Sequence, residues 1–116
     1  IDMNHRQLLN SCDVGLSTVI LHRKLITKKI NFANIKTKED YVLWLKITLN
    51  NDRIFALKKN FTKWRKLKNS LSSSIFQKMK DGYYVYRKYM KFNPIKSVIY
   101  LLILSFNYFL KNFKNR

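Results

Sequence analysis

The sequence is poor in the residues that make turns, covalent staples and metal cages. Its 116 residues include two glycines, one proline and one cysteine. So few turn formers exclude a turn-rich all-β fold, and so few glycines exclude a glycine-rich phosphate loop. Cys12 alone permits no internal disulfide, which fits a reduced, cytoplasmic setting. A catalytic thiol needs a base beside it, and no recognisable motif surrounds His5 or His22, so Cys12 reads as a bystander. No cysteines and histidines stand at zinc-site spacing. Long apolar runs are missing as well. Residues 97–110 lie uncharged between Lys96 and Lys111, about 14 positions where a span needs about 20. They also contain Ser105 and Asn107, so an interfacial helix is expected rather than a span. The N-terminal residues are polar and carry no signal-peptide pattern. The first residue is Ile1 rather than methionine, and the expectation is a trimmed segment or the tail of a longer polypeptide.

The scarcest charge is negative. Six acidic residues face 24 Lys and Arg, for a net charge of +18. Such a balance points to an anionic partner: nucleic acid, acidic lipid or a nucleotide diphosphate. A skewed base composition is a competing source, because Lys, Asn and Ile number 18, 12 and 11 while only Ala33 and Ala56 represent alanine. With 47% hydrophobic and 15% aromatic residues, the chain can bury a core. Its length is that of one domain or part of one.

Local patterns predict mainly helices. Residues 1–13 read as a short helix or loop, and 15–21, rich in β-branched side chains, as a strand. Residues 23–30 form a short helix and 31–36 a loop. Thr37 is the expected N-cap of a helix over 38–50, with Asp40 in the capping-box position. Tyr41, Trp44, Leu45 and Leu49 share one stripe of it, widened by Val42, Leu43 and Ile47, so most sides should be buried. Residues 54–57 read as a second short strand. A basic stretch follows: Lys58, Lys59, Lys63, Arg65, Lys66 and Lys68, with Phe61 and Trp64 interleaved. A helix over 70–90, capped by Ser70, should pack a stripe of Leu71, Ile75, Met79, Tyr83, Tyr86 and Met90. Gly82 weakens its middle by roughly 1 kcal/mol relative to alanine. Asn93 and Pro94 open a last helix. Its seam of Ile95, Ile99, Leu102, Phe106, Phe109 and Phe113 either packs on another helix or lies on a membrane. Residues 1–92 thus form the main unit and 93–116 an amphipathic C-terminal helix.

Two of the six acids stand side by side in Lys38-Glu39-Asp40-Tyr41-Val42-Leu43-Trp44-Leu45. Acids in a first helical turn favour the helix dipole, and a carboxylate held there can also take a proton from a substrate. The string has company. Leu16-Ser17-Thr18-Val19-Ile20-Leu21-His22-Arg23 lies upstream; Trp64-Arg65 and Asn69-Ser70-Leu71-Ser72 lie downstream. In this order and spacing the set resembles the C-terminal, acceptor-side half of a bacterial family 2 glycosyltransferase, over residues 11–111.

The resemblance implies an α/β fragment, mostly helical with two or so short strands, from a GT-A domain. It implies inverting transfer from a nucleotide-sugar to a glycan or lipid-linked acceptor, in surface-glycan synthesis at the cytoplasmic membrane face. Asp40 matches the family's general base, with Glu39 shaping the site or contacting the acceptor. Arg65 and Trp64, with Ser17 and Thr18, would contact substrates, Arg65 through the leaving diphosphate. The sequence departs from the family in lacking the nucleotide-binding half and its Asp-x-Asp. Hard cations want clustered oxygen ligands, so no metal site is expected here. The Mg or Mn of an intact enzyme would be held elsewhere, and the chain alone would be inactive. Two other readings stay open: a small basic nucleic-acid-binding module using residues 58–68, although it lacks the usual signatures, and a membrane-surface protein without enzymatic activity.

Overall fold

The computed structural model describes residues 2–50, 52–63, 65 and 74–114. Their order is β1 (Asp2–Met3), α1 (His5–Asn10), 3-10 turns at Leu16–Thr18 and Arg23–Leu25, α2 (Glu39–Thr48), β2 (Ile54–Phe55), α3 (Ile75–Tyr84) running into a π-helical turn (Val85–Tyr89), and α4 (Pro94–Lys114). The architecture is mostly helical. The sheet is a single antiparallel pair with Asp2 opposite Phe55 and Met3 opposite Ile54, and Arg53 closes its end on Asp2 at 2.8 Å.

α2 is the centre. Tyr41, Val42, Leu43, Trp44 and Leu45 are fully buried, and Ile47 nearly so. A helix apolar on all sides must be enclosed. α1 encloses it with Leu8 and Leu9, the π turn with Val85 and Tyr86, and α4 with Leu104; Val14, Val19, Leu25, Ala33 and Ile35 of the connecting chain fill the rest. Two tyrosines tie this core together. The Tyr41 hydroxyl donates to the Leu8 carbonyl at 2.7 Å and that of Tyr86 to the Leu9 carbonyl at 2.8 Å; the two oxygens lie 3.0 Å apart. They bond carbonyls in the last turn of α1, where the helix itself supplies few partners; the Leu8 carbonyl also accepts from the Ser11 N–H at 3.2 Å.

Several expectations fail for physical reasons. Residues 15–21 form no strand. The Thr18 hydroxyl and N–H both turn back to the Gly15 carbonyl, at 2.7 and 3.0 Å; such local bonds compete with extended pairing, and Ile54 and Phe55 pair with β1 instead. Residues 23–30 hold one 3-10 turn rather than a helix. α3 is capped by Ser74, whose Oγ accepts from the Gln77 N–H at 3.3 Å; Ser70, Leu71 and Trp64 lie outside the described residues. The expected stripe of α3 holds only in part: Tyr86 is fully buried and Met90 packs against the core, but Ile75 is 76% exposed and Met79 is exposed too. The π turn inserts an extra residue, with the Met90 N–H reaching the Val85 carbonyl, and this rotates the inward face. Asp81, Gly82, Val85 and Tyr86 point inward. Lys91 ends the element at φ 56°.

α4 starts at Pro94, as the Asn-Pro signal predicts, with the Asn93 Oδ1 accepting from the Lys96 N–H at 2.7 Å. It turns Ser97 and Leu104 inward. Its apolar seam faces away from α3: Ile95, Ile99, Leu102, Phe106, Phe109 and Phe113 are all exposed. No helix among the described residues is long and apolar enough to cross a membrane.

Candidate functional site

The approach to α2 sets the site. Thr37 would be a good N-cap, yet its hydroxyl and N–H both donate to the Asp81 Oδ2, at 2.7 and 2.9 Å. Lys38 takes the cap position instead, in the left-handed region at φ 64°, ψ 19°, and makes no side-chain cap bond. Asp40 therefore completes no capping box. Its Oδ1 accepts from the N–H of Tyr41, the next residue, at 2.7 Å. Glu39 and Asp40 occupy the first turn of α2 and are half-buried. Here the partial positive charge of the helix N-terminus favours negative groups. An enclosed helix thus carries two half-buried carboxylates in its first turn.

Residues 8–14 run along the same half of α2, since the Trp44 Nε1 donates to the Val14 carbonyl at 3.2 Å. α4 pins this segment from outside. The Asn107 side chain donates to the Asn10 carbonyl at 2.8 Å, and the Lys111 ammonium to the Ser11 Oγ at 2.6 Å while pairing with Asp13. Cys12 lies in this setting. Burial pushes its thiol up to about 11, with Asp40 and Asp13 adding to the rise and Lys38 and Lys111 opposing it. A thiol so raised is no nucleophile near neutral pH.

Glu39 and Asp40 are brought together. Ser17 and Thr18 are exposed on the 3-10 turn, and the Ser17 carbonyl accepts from the Thr62 hydroxyl at 3.4 Å. That contact places the turn against the basic stretch, three residues before the exposed Arg65. No hydrogen bond among the described residues links Ser17, Thr18 or Arg65 to the acidic pair. Among the same residues no three His, Cys, Asp or Glu side chains are grouped to hold a metal ion. Asp81 lies off the apolar stripe expected for α3, so the sequence offers no reason to place it beside the acidic pair. It contacts Thr37 across 44 positions, and no local signal marks it.

Neither a protein-family profile nor a solved structure matches the chain. Two curated proteins do. The chain is 34% identical over 102 residues to the UDP-Glc:alpha-D-GlcNAc-diphosphoundecaprenol beta-1,3-glucosyltransferase WfgD of Escherichia coli, covering 86% of this chain and 39% of that protein. It is 24% identical over 95 residues to the putative teichuronic acid biosynthesis glycosyltransferase TuaG of Bacillus subtilis strain 168, covering 82% of this chain and 37% of that one. The chain thus spans under two-fifths of the length of these relatives, one named as a glucosyltransferase and the other as a putative glycosyltransferase of teichuronic acid biosynthesis.

Proposed function

We propose that the chain is the acceptor-side part of an inverting, nucleotide-sugar-dependent glycosyltransferase of family 2, with a GT-A fold completed by a donor-binding segment of the same polypeptide. The observation that carries the reading is the pair Glu39 and Asp40 in the first turn of a buried helix, within the stretch shared with two glycosyltransferases. Asp40 is the general base. As the acceptor hydroxyl attacks the anomeric carbon, its proton passes to the Asp40 carboxylate. A new C–O bond forms on one face of the sugar, and the bond to the nucleoside diphosphate breaks on the other. The diphosphate departs with the bonding electrons, and the anomeric centre is inverted. Glu39 orients the acceptor. Arg65 and Trp64 meet the diphosphate, and Ser17 and Thr18 line its approach.

A Mg or Mn ion that offsets charge on the diphosphate belongs to the donor segment, because the acidic residues here are not grouped to bind one. The acceptor is a lipid-linked glycan, in keeping with the diphosphoundecaprenol acceptor in the name of the Escherichia coli relative. The exposed seam of α4 supports peripheral contact with an anionic membrane at its cytoplasmic face. The test is transfer by the full-length polypeptide, with UDP-glucose and a GlcNAc-diphosphoundecaprenol as first probes. Asp40→Asn should lower turnover by about 10²- to 10⁴-fold, the usual contribution of a positioned base, with the fold intact by circular dichroism. Turnover near wild type refutes the assignment.

A further inference from the structure

Two neighbouring residues of α3, Asp81 and Gly82, receive the two residues that precede the acidic pair. Asp81 is only 5% exposed. Its Oδ2 takes both bonds from Thr37, at 2.9 and 2.7 Å, and its Oδ1 takes the Gln77 side-chain N–H at 3.0 Å. Gly82 receives Lys38. A Cβ at Gly82 would stand 2.8 Å from the Leu101 Cδ1, 3.6 Å from the Lys38 Cε and 3.9 Å from its Cδ. The stem of Lys38 therefore lies within ordinary contact of α3 at Gly82, and the close approach there is that of Leu101 from α4. The Lys38 ammonium ends over the Tyr41 ring, 5.5 Å from its centre.

The turn needs an outside hold. Lys38 sits at φ 64°, where a residue with a Cβ is disfavoured, and the hydroxyl that would cap α2 from Thr37 is spent on Asp81. Disfavoured backbone persists only where its surroundings over-determine it. The glycine that weakens α3 as a helix leaves room for the Leu101 side chain of α4, which would stand 2.8 Å from a Cβ there. Because α2 is enclosed on its other sides, the direction in which Glu39 and Asp40 leave the turn depends on this seat.

We propose that Asp81 is a positioning residue for Glu39 and Asp40: it seats the turn of Thr37 and Lys38 so that Asp40 meets the acceptor hydroxyl in one geometry. The catalytic half of this statement rests on the proposed role of Asp40; the seating of the turn does not.

The test has two arms. In the 116-residue chain, amide hydrogen exchange is followed by NMR in Asp81→Asn and in Thr37→Val, which removes only the hydroxyl. The amides of Thr37 and Tyr41 should exchange at least about tenfold faster in Asp81→Asn, and that of Tyr41 faster in Thr37→Val, while Leu45 deep in α2 keeps its rate. Equal acceleration at all three sites, or none at Tyr41, overturns the proposal by reducing Asp81 to general stabilisation. In the full-length polypeptide, both variants should lower kcat by about 10- to 100-fold, the scale of a misplacement near 1 Å, with the donor KM unchanged. Thr37→Ser, which keeps the hydroxyl, should restore turnover. A donor KM that rises with kcat unchanged also overturns it. Full activity in Asp40→Asn defeats the base assignment alone, and the exchange result still decides whether α3 seats the turn.

Discussion

The outward seam of α4 makes a quantitative prediction about membranes. Phe106 and Phe109 are 63% and 62% exposed. Complete burial of such a ring stabilises by about 1.5–3 kcal/mol, so seating the exposed two-thirds of each contributes about 1–2 kcal/mol. Lys91, Lys96 and Lys114 are exposed at or near the ends of the helix, and each contributes about 1 kcal/mol near an anionic surface. Lys111 adds least, because Asp13 and Ser11 already hold it. Replacing Phe106 and Phe109 together by serine should remove about 2–4 kcal/mol, a loss of about 30- to 700-fold in partitioning. Neither ring belongs to the core, so the melting temperature should barely move. Sedimentation with phosphatidylglycerol vesicles, against neutral phosphatidylcholine and at low and high salt, measures the effect. Wild-type binding should weaken as salt rises, since the screening length falls from about 10 Å at 0.1 M to about 3 Å at 1 M. A serine pair that binds like the wild type, or a wild type that binds neither vesicle, would show that the seam is covered by protein instead.

Three further outcomes follow. Tyr41→Phe and Tyr86→Phe should each cost about 1 kcal/mol by denaturant melts. The double variant should cost more than their sum, because the Leu9 carbonyl accepts from Tyr86 at 2.8 Å and Tyr41 at 3.3 Å and then loses both; strict additivity would contradict the shared bond. Acidification should destabilise in two stages. Burial lowers the His5 value against the opposing Leu45 backbone bond, so its contribution is complete above about pH 6.5 and fades below it. For Asp81 burial acts upward, but the bonds from Gln77 and Thr37 prevail and hold the carboxyl below its ordinary range. Its contribution is present above about pH 4 and lost below it. Read as melting temperature against pH, His5→Gln should remove the first stage and Asp81→Asn should shrink the second, to which Asp2, held low by its bond from Arg53, also contributes. Calorimetry of this chain with uridine and thymidine diphosphate-sugars plus manganese should find nothing tighter than about 1 mM, for want of clustered oxygen ligands; a micromolar constant would place donor binding within these residues.

What could be read from sequence was whatever a few adjacent residues decide. The burial of α2 follows from its unbroken apolar run, and the start of α4 from Asn93 and Pro94. The acidic pair was legible for the same reason: its place in a first helical turn is a local fact. The cap was not. Thr37 has the chemistry of an N-cap, but a buried carboxylate 44 residues away offers it a better pair of bonds, and no window along the chain contains both partners. The stripe on α3 holds at Tyr86 and Met90 and fails at Ile75 and Met79, because a regular period was carried through a π turn that only tertiary packing selects. The seam on α4 was identified correctly as apolar, yet its periodicity could not say which side meets the core. A neighbouring face does so, through Ser97, Leu104 and Asn107, with Tyr100 and Leu101 packed beside them. The chemistry proposed for Asp40 therefore depends on a frame that its own segment does not encode. The carboxylates are local, but their aim is set by α3, and the segment beside them is held by α4. A substitution in either helix can alter the site without touching a substrate.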